Sequence, residues 1–204
     1  MRVRPFLILC ALLIGLGPAR AAPPDAALFI DRLVAEALDT IRDKDLPDAV
    51  KTQRLDALLK SSFDIPRISR YVLGRFWNAT SEPDRRTFAE LFESWVVRSY
   101  AGRLSEYRGE GVKVVGARPE GDGGAVVSSE IIHESGPPTK VEWRVAGSGN
   151  DYKILDVDVA GVSMALTERE EIAATIQQNG GTVAQLNRVL ARKLGIQNTA
   201  DASH

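Results

Sequence analysis

The chain has 204 residues, 26% of them charged, and a formal net charge of −1. This balance gives no strong basic field, which excludes nucleic acids and anionic membrane surfaces as partners held by bulk charge. Cys10 is the only cysteine, so neither an internal disulfide nor a cluster of thiolate metal ligands holds the fold together.

The first 21 residues have the pattern of a secretory signal peptide. Arg2 and Arg4 precede an apolar run over 6–16, which is too short to span a bilayer as a helix. Small residues follow, and they predict cleavage after Ala21. Cleavage removes three of the 26 basic residues and leaves 23 against 27 acidic ones, a formal net charge of −4. We therefore expect a soluble, exported chain.

The first half of the mature chain has helical periodicity. Apolar residues recur every three to four positions over 25–43 and again over 47–60, where Pro47 suits a first turn. A short helix is predicted over 63–74, with Asp64 as its N-cap and Gly74 at its end. The longest predicted helix covers 82–107.

After Gly109 the period changes to two. Strands are predicted at 111–118, 124–133, 139–146 and 151–160, separated by turns rich in Gly, Pro and Asp. Short turns between successive strands predict an antiparallel meander, which normally has one dry and one wet face.

Two helices are predicted to close the chain. Thr167 and Glu170 have the spacing of a capping box, and Gly180 ends that helix. Thr182 begins the next helix, which stops at Gly195. We predict a single α+β domain over 22–195, in which N- and C-terminal helices pack on a curved antiparallel sheet of four strands, followed by a disordered tail over 196–204.

Catalytic chemistry has little support in the sequence. Ser163 lies outside a Gly-x-Ser-x-Gly elbow, and a triad with His133 is disfavoured against a solvated or hydrogen-bonded histidine. Acid–base work would need a carboxylate inside an apolar cavity. Asp64 and Glu142 have more ordinary roles, as a helix cap and on the wet face of the sheet respectively.

Metal binding is likewise not indicated. Asp156 and Asp158 alternate with valines on the last strand but are not followed by a calcium-loop pattern. We predict that both aspartates lie on the wet face of the sheet, with Leu155, Val157 and Val159 on the dry face. We expect no catalytic residue, no metal and no cofactor.

Large apolar residues are what remain unexplained. They concentrate in the segment 63–77, on the long helix and on alternate positions of the strands. Each alone suits an ordinary core, but together they suit a cavity walled by sheet and helices, where a small apolar ligand would bind.

The residues also resemble a known family. The patterns are "FDIPRISRYVLGRFW", "VEWRV" and "DVDVAGVSM", followed by "GGTVAQLNRVLARKL". In this order and spacing the chain resembles the MlaC family of periplasmic phospholipid-binding proteins, the toluene-tolerance type, over about residues 30–194. Some members of that family are associated with hopanoid systems, so a carrier of hopanoid or another apolar lipid stays an alternative for this chain.

The resemblance implies a fold like that of nuclear transport factor 2, with an apolar pocket. It implies a monomeric, non-enzymatic carrier that holds phospholipid acyl chains without inserting stably in a membrane. Its implied partners are an outer-membrane lipoprotein complex and an inner-membrane MCE-protein/ABC transporter. The sequence shows no buried basic cluster, so we expect weak selection of the lipid headgroup.

Candidate pocket residues follow from period and segment rather than from a lipid-contact motif. The candidates are Ile68, Tyr71, Val72, Leu73, Phe76, Val96, Tyr100, Leu104, Val115, Val127, Trp143, Val145, Val157, Val162 and Met164. Two rival functions stay open at this point. One is an isomerase or dehydratase on a similar cone-shaped fold, and the other is an interaction module with a filled core.

Overall fold

A computed structural model describes residues 24–105, 111–121, 123–149 and 151–196, with side chains described over 25–100 in the first range. Within these residues the chain forms helices, then a sheet, then helices. The elements are α1 (Pro24–Arg42), α2 (Asp48–Ser62), α3 (Ile65–Leu73), a 3-10 turn (Gly74–Phe76), α4 (Glu82–Ser105), β1 (Gly111–Glu120), β2 (Gly124–Ile132), β3 (Thr139–Ala146), β4 (Lys153–Val159), β5 (Val162–Ser163), α5 (Met164–Gln178) and α6 (Val183–Leu194).

The sheet is an open antiparallel meander with strand order β1-β2-β3-β4-β5. The predicted α+β class and antiparallel sheet are confirmed, and four of the five strands match the predicted ones to within a few residues. The predicted signal peptide lies outside the described residues, as do residues 197–204 of the predicted tail.

Local caps explain where several helices begin and end. The Asp64 carboxylate accepts a hydrogen bond from the Arg67 backbone N–H at 3.0 Å and so begins α3. Thr182 caps α6 in the same way, and Gly195 ends it in the left-handed conformation, with φ 70°. These caps are among those that the sequence predicts.

The start of α5 differs from the prediction. Ser163, not Thr167, is its N-cap, accepting from the Leu166 backbone N–H at 3.1 Å. Thr167 lies inside the first turn, and its hydroxyl donates to the Ser163 carbonyl. The capping-box interpretation was wrong because the helix already begins four residues earlier, where the Ser163 hydroxyl caps it.

The fifth strand was not predicted. A tight hairpin turns at Ala160 and Gly161, whose φ angles are 54° and 87°. Positive φ at both positions gives the turn the twist that suits a two-residue hairpin. Val162 and Ser163 therefore pair back onto Val159 and Asp158.

A β-bulge at Leu155 corrects the prediction for the last strand. Arg144 pairs with Asp156 and Val145 with Ile154, so Leu155 is the extra residue. Asp158 is partly exposed, but Asp156 is only 9% exposed. The prediction that Asp156 lies on a wet face was wrong because α5 begins directly over it.

The buried apolar residues form two separate cores. One joins α3, α4, α5 and α6, and the other joins α1 to the sheet. Among the described helices, none has the length and hydrophobicity that a membrane span requires.

Candidate functional site

A cavity of about 340 Å³ lies between the two cores. Its volume falls within the range of pockets that hold small ligands. Helices α1, α2, α3, α4 and α5 and strands β3 and β4 all contribute to its wall. The lining residues are Leu33, Val34, Ala37, Leu55, Leu58, Leu59, Phe63, Ile65, Ile68, Phe92, Val96, Tyr100, Trp143, Leu155, Asp156, Val157, Val159, Met164, Ala165 and Glu168.

Helices α1 and α2 each supply an apolar stripe to the cavity wall. Residues 33, 34 and 37 share one face of α1, and 55, 58 and 59 share one face of α2, both at the spacing of an amphipathic stripe. These stripes face the space between the elements, where α1 already packs on β1 and β2 further along its length. Apolar side chains from opposite walls therefore surround the space without filling it.

Two carboxylates border this apolar wall, and both accept hydrogen bonds. Asp156 Oδ1 accepts from the Ala165 backbone N–H at 2.9 Å, while Oδ2 accepts from the Ser163 hydroxyl at 2.6 Å and from Arg144 Nη1 at 3.3 Å. A carboxylate at a helix N-terminus stabilises the exposed N–H groups there. Asp156 thus fixes the position of α5, which forms one wall of the cavity.

Glu168 is the second carboxylate, at 8% exposure. The Tyr100 hydroxyl donates to its Oε1 at 3.1 Å, joining α4 to α5 across one part of the cavity wall. The sequence interpretation missed Glu168. With the helix predicted to start at Thr167, Met164 and Ala165 lay outside it, and the helical spacing that joins them to Glu168 was not recognised. Once α5 begins at Met164, residues 164, 165 and 168 lie on one helical face.

The other polar candidates lie elsewhere. Glu142 pairs with Lys140 at 3.0 Å, and this hydrogen bond holds the pKa of the Glu142 carboxyl below its usual value. The His133 ring is 2.8 Å from the Thr139 hydroxyl on the β2–β3 hairpin. Neither residue lines the cavity. Within the described residues, no group of three histidines, cysteines and carboxylates is placed to hold a metal ion.

The structure brings six of the predicted pocket residues together at the cavity. They are Ile68, Val96, Tyr100, Trp143, Val157 and Met164. Tyr71 lines two adjoining openings instead, one of which it shares with Ile68. The side chain of Leu104 lies outside those described.

The other predicted lining residues are placed away from the cavity. Val72 and Leu73 are buried in the helical core, and Phe76 packs against it. Val127 and Val145 are buried in the core between α1 and the sheet. Helix α1 covers the face of the sheet on which they lie. Alternation along a strand predicts which residues share a face, but not whether a helix or a cavity lies over that face.

Two predicted lining residues are exposed. Val115 is 49% exposed because it is the extra residue of a β-bulge in β1. Val162 is 52% exposed at the sheet edge, in the short strand β5. The cavity residues on α1 and α2 were predicted only as helical stripes, and nothing in those stripes distinguishes a cavity wall from a packed core.

Fold and site together define a class of protein. It is an α+β protein with an apolar cavity between an open antiparallel sheet and a layer of helices. The sequence model of the MlaC protein family matches residues 31–192. The chain belongs to the MlaC family.

Two curated relatives and one solved structure resemble this chain. The toluene tolerance protein ttg2D of Pseudomonas putida is 24% identical over 127 residues, 62% of this chain and 59% of that protein. The intermembrane phospholipid transport system binding protein MlaC of Haemophilus influenzae (strain ATCC 51907 / DSM 11121 / KW20 / Rd) is 27% identical over 97 residues, 46% of this chain and 45% of that protein. The matches thus span less than two thirds of either relative.

The structural likeness is more extensive. A phospholipid-binding protein from Ralstonia solanacearum, solved in complex with a phospholipid, has a TM-score of 0.70 and 26% identity. The likeness covers 84% of this chain and 97% of that one. The likeness therefore extends over most of the fold described above.

Proposed function

We propose that this protein is a periplasmic lipid carrier that shelters phospholipid acyl chains in the cavity between the two cores. The observation that carries the proposal is the cavity of about 340 Å³ with an almost wholly apolar wall. Membership of the MlaC family and the phospholipid bound in the Ralstonia protein support the same ligand class.

The physical need for such a carrier is large. Each CH₂ of an acyl chain costs about 0.8 kcal/mol in water, so a chain of roughly 16 carbons costs about 12 kcal/mol. Spontaneous passage of a two-chain lipid through water is therefore negligible. A protein that covers the tails removes most of this cost and leaves the headgroup hydrated.

The proposed role needs no catalyst. Asp156 and Glu168, the two carboxylates at the cavity wall, each accept hydrogen bonds from neighbouring elements of the fold. We propose that both groups position α5 rather than transfer protons. The proposed partners are an outer-membrane lipoprotein complex, which would supply or receive the lipid, and an inner-membrane MCE-protein/ABC transporter.

A cavity-filling substitution tests the proposal. Ala37 lines the cavity on α1, whereas Ala35 is exposed on the same helix. Ala37→Trp should sharply reduce the lipid taken up from fluorescently labelled phosphatidylcholine vesicles, while Ala35→Trp should take up as much as the wild type. Thermal unfolding of both variants checks that the fold is intact. Equal uptake by the two variants, or no uptake by the wild type, would contradict the proposal.

A further inference from the structure

Three arginines line an opening near the cavity, which we call the mouth. Arg67 and Arg70 lie three residues apart on α3, and Arg169 approaches them from α5. These three line an opening of about 400 Å³ together with Tyr71 and Gly74. The sequence separates Arg169 from the α3 arginines by about a hundred residues, so the cluster forms only in the fold.

A second opening lies between the mouth and the apolar cavity and shares lining residues with each. Arg67 and Tyr71 also line this second opening of about 400 Å³, which Arg144 borders from β3. Ile68, Leu155 and Ala165 border both this second opening and the cavity. An amphiphile with its tails in the cavity can therefore place its polar end among the arginines.

The arginines at the mouth are unequally neutralised. Arg67 pairs with Asp64 at 3.8 Å, and Arg144 pairs with Glu120 at 2.6 Å and Asp156 at 3.3 Å. Within the part of the chain that the structure describes, neither Arg70 nor Arg169 forms a salt bridge with a carboxylate. The guanidinium of Arg169 lies 5.1 Å from the centre of the Tyr71 ring, and that of Arg70 lies 5.8 Å from the Trp77 ring. Aromatic faces hold these cations in place without cancelling their charge.

A glycine leaves room for this arrangement. A Cβ added at Gly74 would lie 3.0 Å from the Arg169 guanidinium, and the φ of Gly74 is +49°. A side chain at position 74 would therefore be strained and would displace the guanidinium. Gly74 thus ends α3 and also allows Arg169 to approach it.

We propose that Arg67, Arg70 and Arg169 form a subsite for an anionic phosphodiester headgroup at the mouth of the cavity. The planar guanidinium group offers paired N–H donors that match phosphate oxygens. Like charges gathered at one opening repel one another unless an anion joins them. The inference rests on the proposed carrier function and replaces our sequence-based expectation of weak headgroup selection.

Competition between two lipids with identical acyl chains tests the subsite. The mature protein is incubated with vesicles of equimolar phosphatidylglycerol and phosphatidylcholine, and the extracted lipids are quantified by mass spectrometry. The wild type should enrich phosphatidylglycerol about threefold, which a single partly exposed charge interaction can supply. The enrichment should fall as the salt concentration rises.

Paired substitutions locate the effect. The double variant Arg70→Gln/Arg169→Gln should extract as much total lipid as the wild type but in the ratio of the vesicles. Arg188→Gln, which removes an exposed arginine from α6 away from the mouth, should keep the wild-type ratio. A wild type that extracts both lipids equally, or an Arg188→Gln variant that loses the enrichment, would overturn the headgroup subsite and leave the carrier function standing.

Two further controls distinguish binding of a lipid headgroup from failure to bind lipid and from binding of free phosphate esters. A wild type that extracts no lipid at all would overturn the carrier function, and the subsite with it. Soluble glycerophosphate, added at the concentration of the vesicle lipid, should leave the enrichment unchanged. If glycerophosphate abolishes the enrichment, the arginines bind free phosphate esters, and the headgroup assignment is wrong.

Discussion

The helical core and the cavity contain the same kinds of side chain but differ in packing. In the helical core, away from the cavity, Phe88, Ile176 and Leu186 are fully buried. Around the cavity, Leu58, Leu59 and Val34 are only partly buried. Apolar composition thus predicts burial, but the distance between elements decides whether burial is against protein or against empty space.

This difference assigns separate tasks to the two regions. A close-packed core resists the loss of even one methylene. A wall that faces a void has already forfeited part of its packing contacts, so it contributes less to stability and is available to a ligand. The helical core should therefore determine folding, and the cavity wall should determine binding.

The largest expected effect is from Leu186→Ala in the helical core. The substitution removes a fully buried side chain and should lower the free energy of unfolding by about 2–5 kcal/mol. Urea unfolding followed by circular dichroism measures the change. The folded protein should still take up lipid. If Leu186→Ala lowers the free energy of unfolding by less than the substitution of a cavity-wall leucine does, the proposed difference between the two regions is wrong.

Asp156→Ala should have the next largest effect. It leaves the Ala165 N–H and the Ser163 hydroxyl without their acceptor at the start of α5, at a cost of about 1–3 kcal/mol. Asp158→Ala is the matched control two residues along the strand. Asp158 accepts one hydrogen bond, from the Gly161 N–H at 2.7 Å, so its removal should cost less in the same urea experiment. Equal losses would show that Asp156 does not anchor the cavity wall.

Leu59→Ala should cost less than either substitution, about 1 kcal/mol, because Leu59 is half-buried and already faces the cavity. Its lipid content should remain at the wild-type level, since the cavity becomes larger rather than smaller. Comparison of the urea unfolding midpoints of Leu59→Ala and Leu186→Ala tests whether the helical core contributes more to stability than the cavity wall does. A loss as large as that of Leu186→Ala would mean that this wall is packed core.

The smallest expected effect comes from Glu142, on the sheet away from both regions. The hydrogen bond from Lys140 lowers the pKa of Glu142 from its ordinary value of 4.5. A lowered folded-state pKa contributes stability above the unfolded pKa, and this contribution is lost as the pH falls through the folded pKa. Glu142→Gln should therefore cost at most about 1 kcal/mol at neutral pH, and the cost should vanish well below pH 4.5.

The control for this titration is Glu134→Gln, at an exposed position of the β2–β3 turn. It should change stability less than Glu142→Gln across the pH range. A pH-independent difference between the wild type and Glu142→Gln would contradict the assigned ion pair.

The sequence predicted the elements well and the cavity only in part. Helical stripes, turn residues and the Asp64 and Thr182 caps are local signals, and they located nearly all the elements. The bulges at Val115 and Leu155 are not local signals, because each depends on the strand beside it. Val115 was misplaced because it is itself the extra residue of its strand, and Asp156 was misplaced because α5, which comes later in the chain, begins over it.

The arginine mouth shows the same limit at longer range. Arg67 and Arg70 were visible as a pair on α3, but Arg169 joins them only through the packing of α3 against α5. The sequence likewise gave no means to tell Val145, buried against α1, from Val157 at the cavity wall. Spacing along one element predicts which side chains share a face but not what that face meets.

The central claim is that the gap between the two cores holds lipid. Native mass spectrometry of residues 22–204, the chain without the predicted signal peptide, purified without detergent, tests it most directly. We expect a species heavier than the polypeptide by the mass of a phospholipid, which denaturation releases and which Ala37→Trp reduces. A wild-type spectrum that contains only the polypeptide mass, before and after incubation with phospholipid vesicles, would contradict the claim.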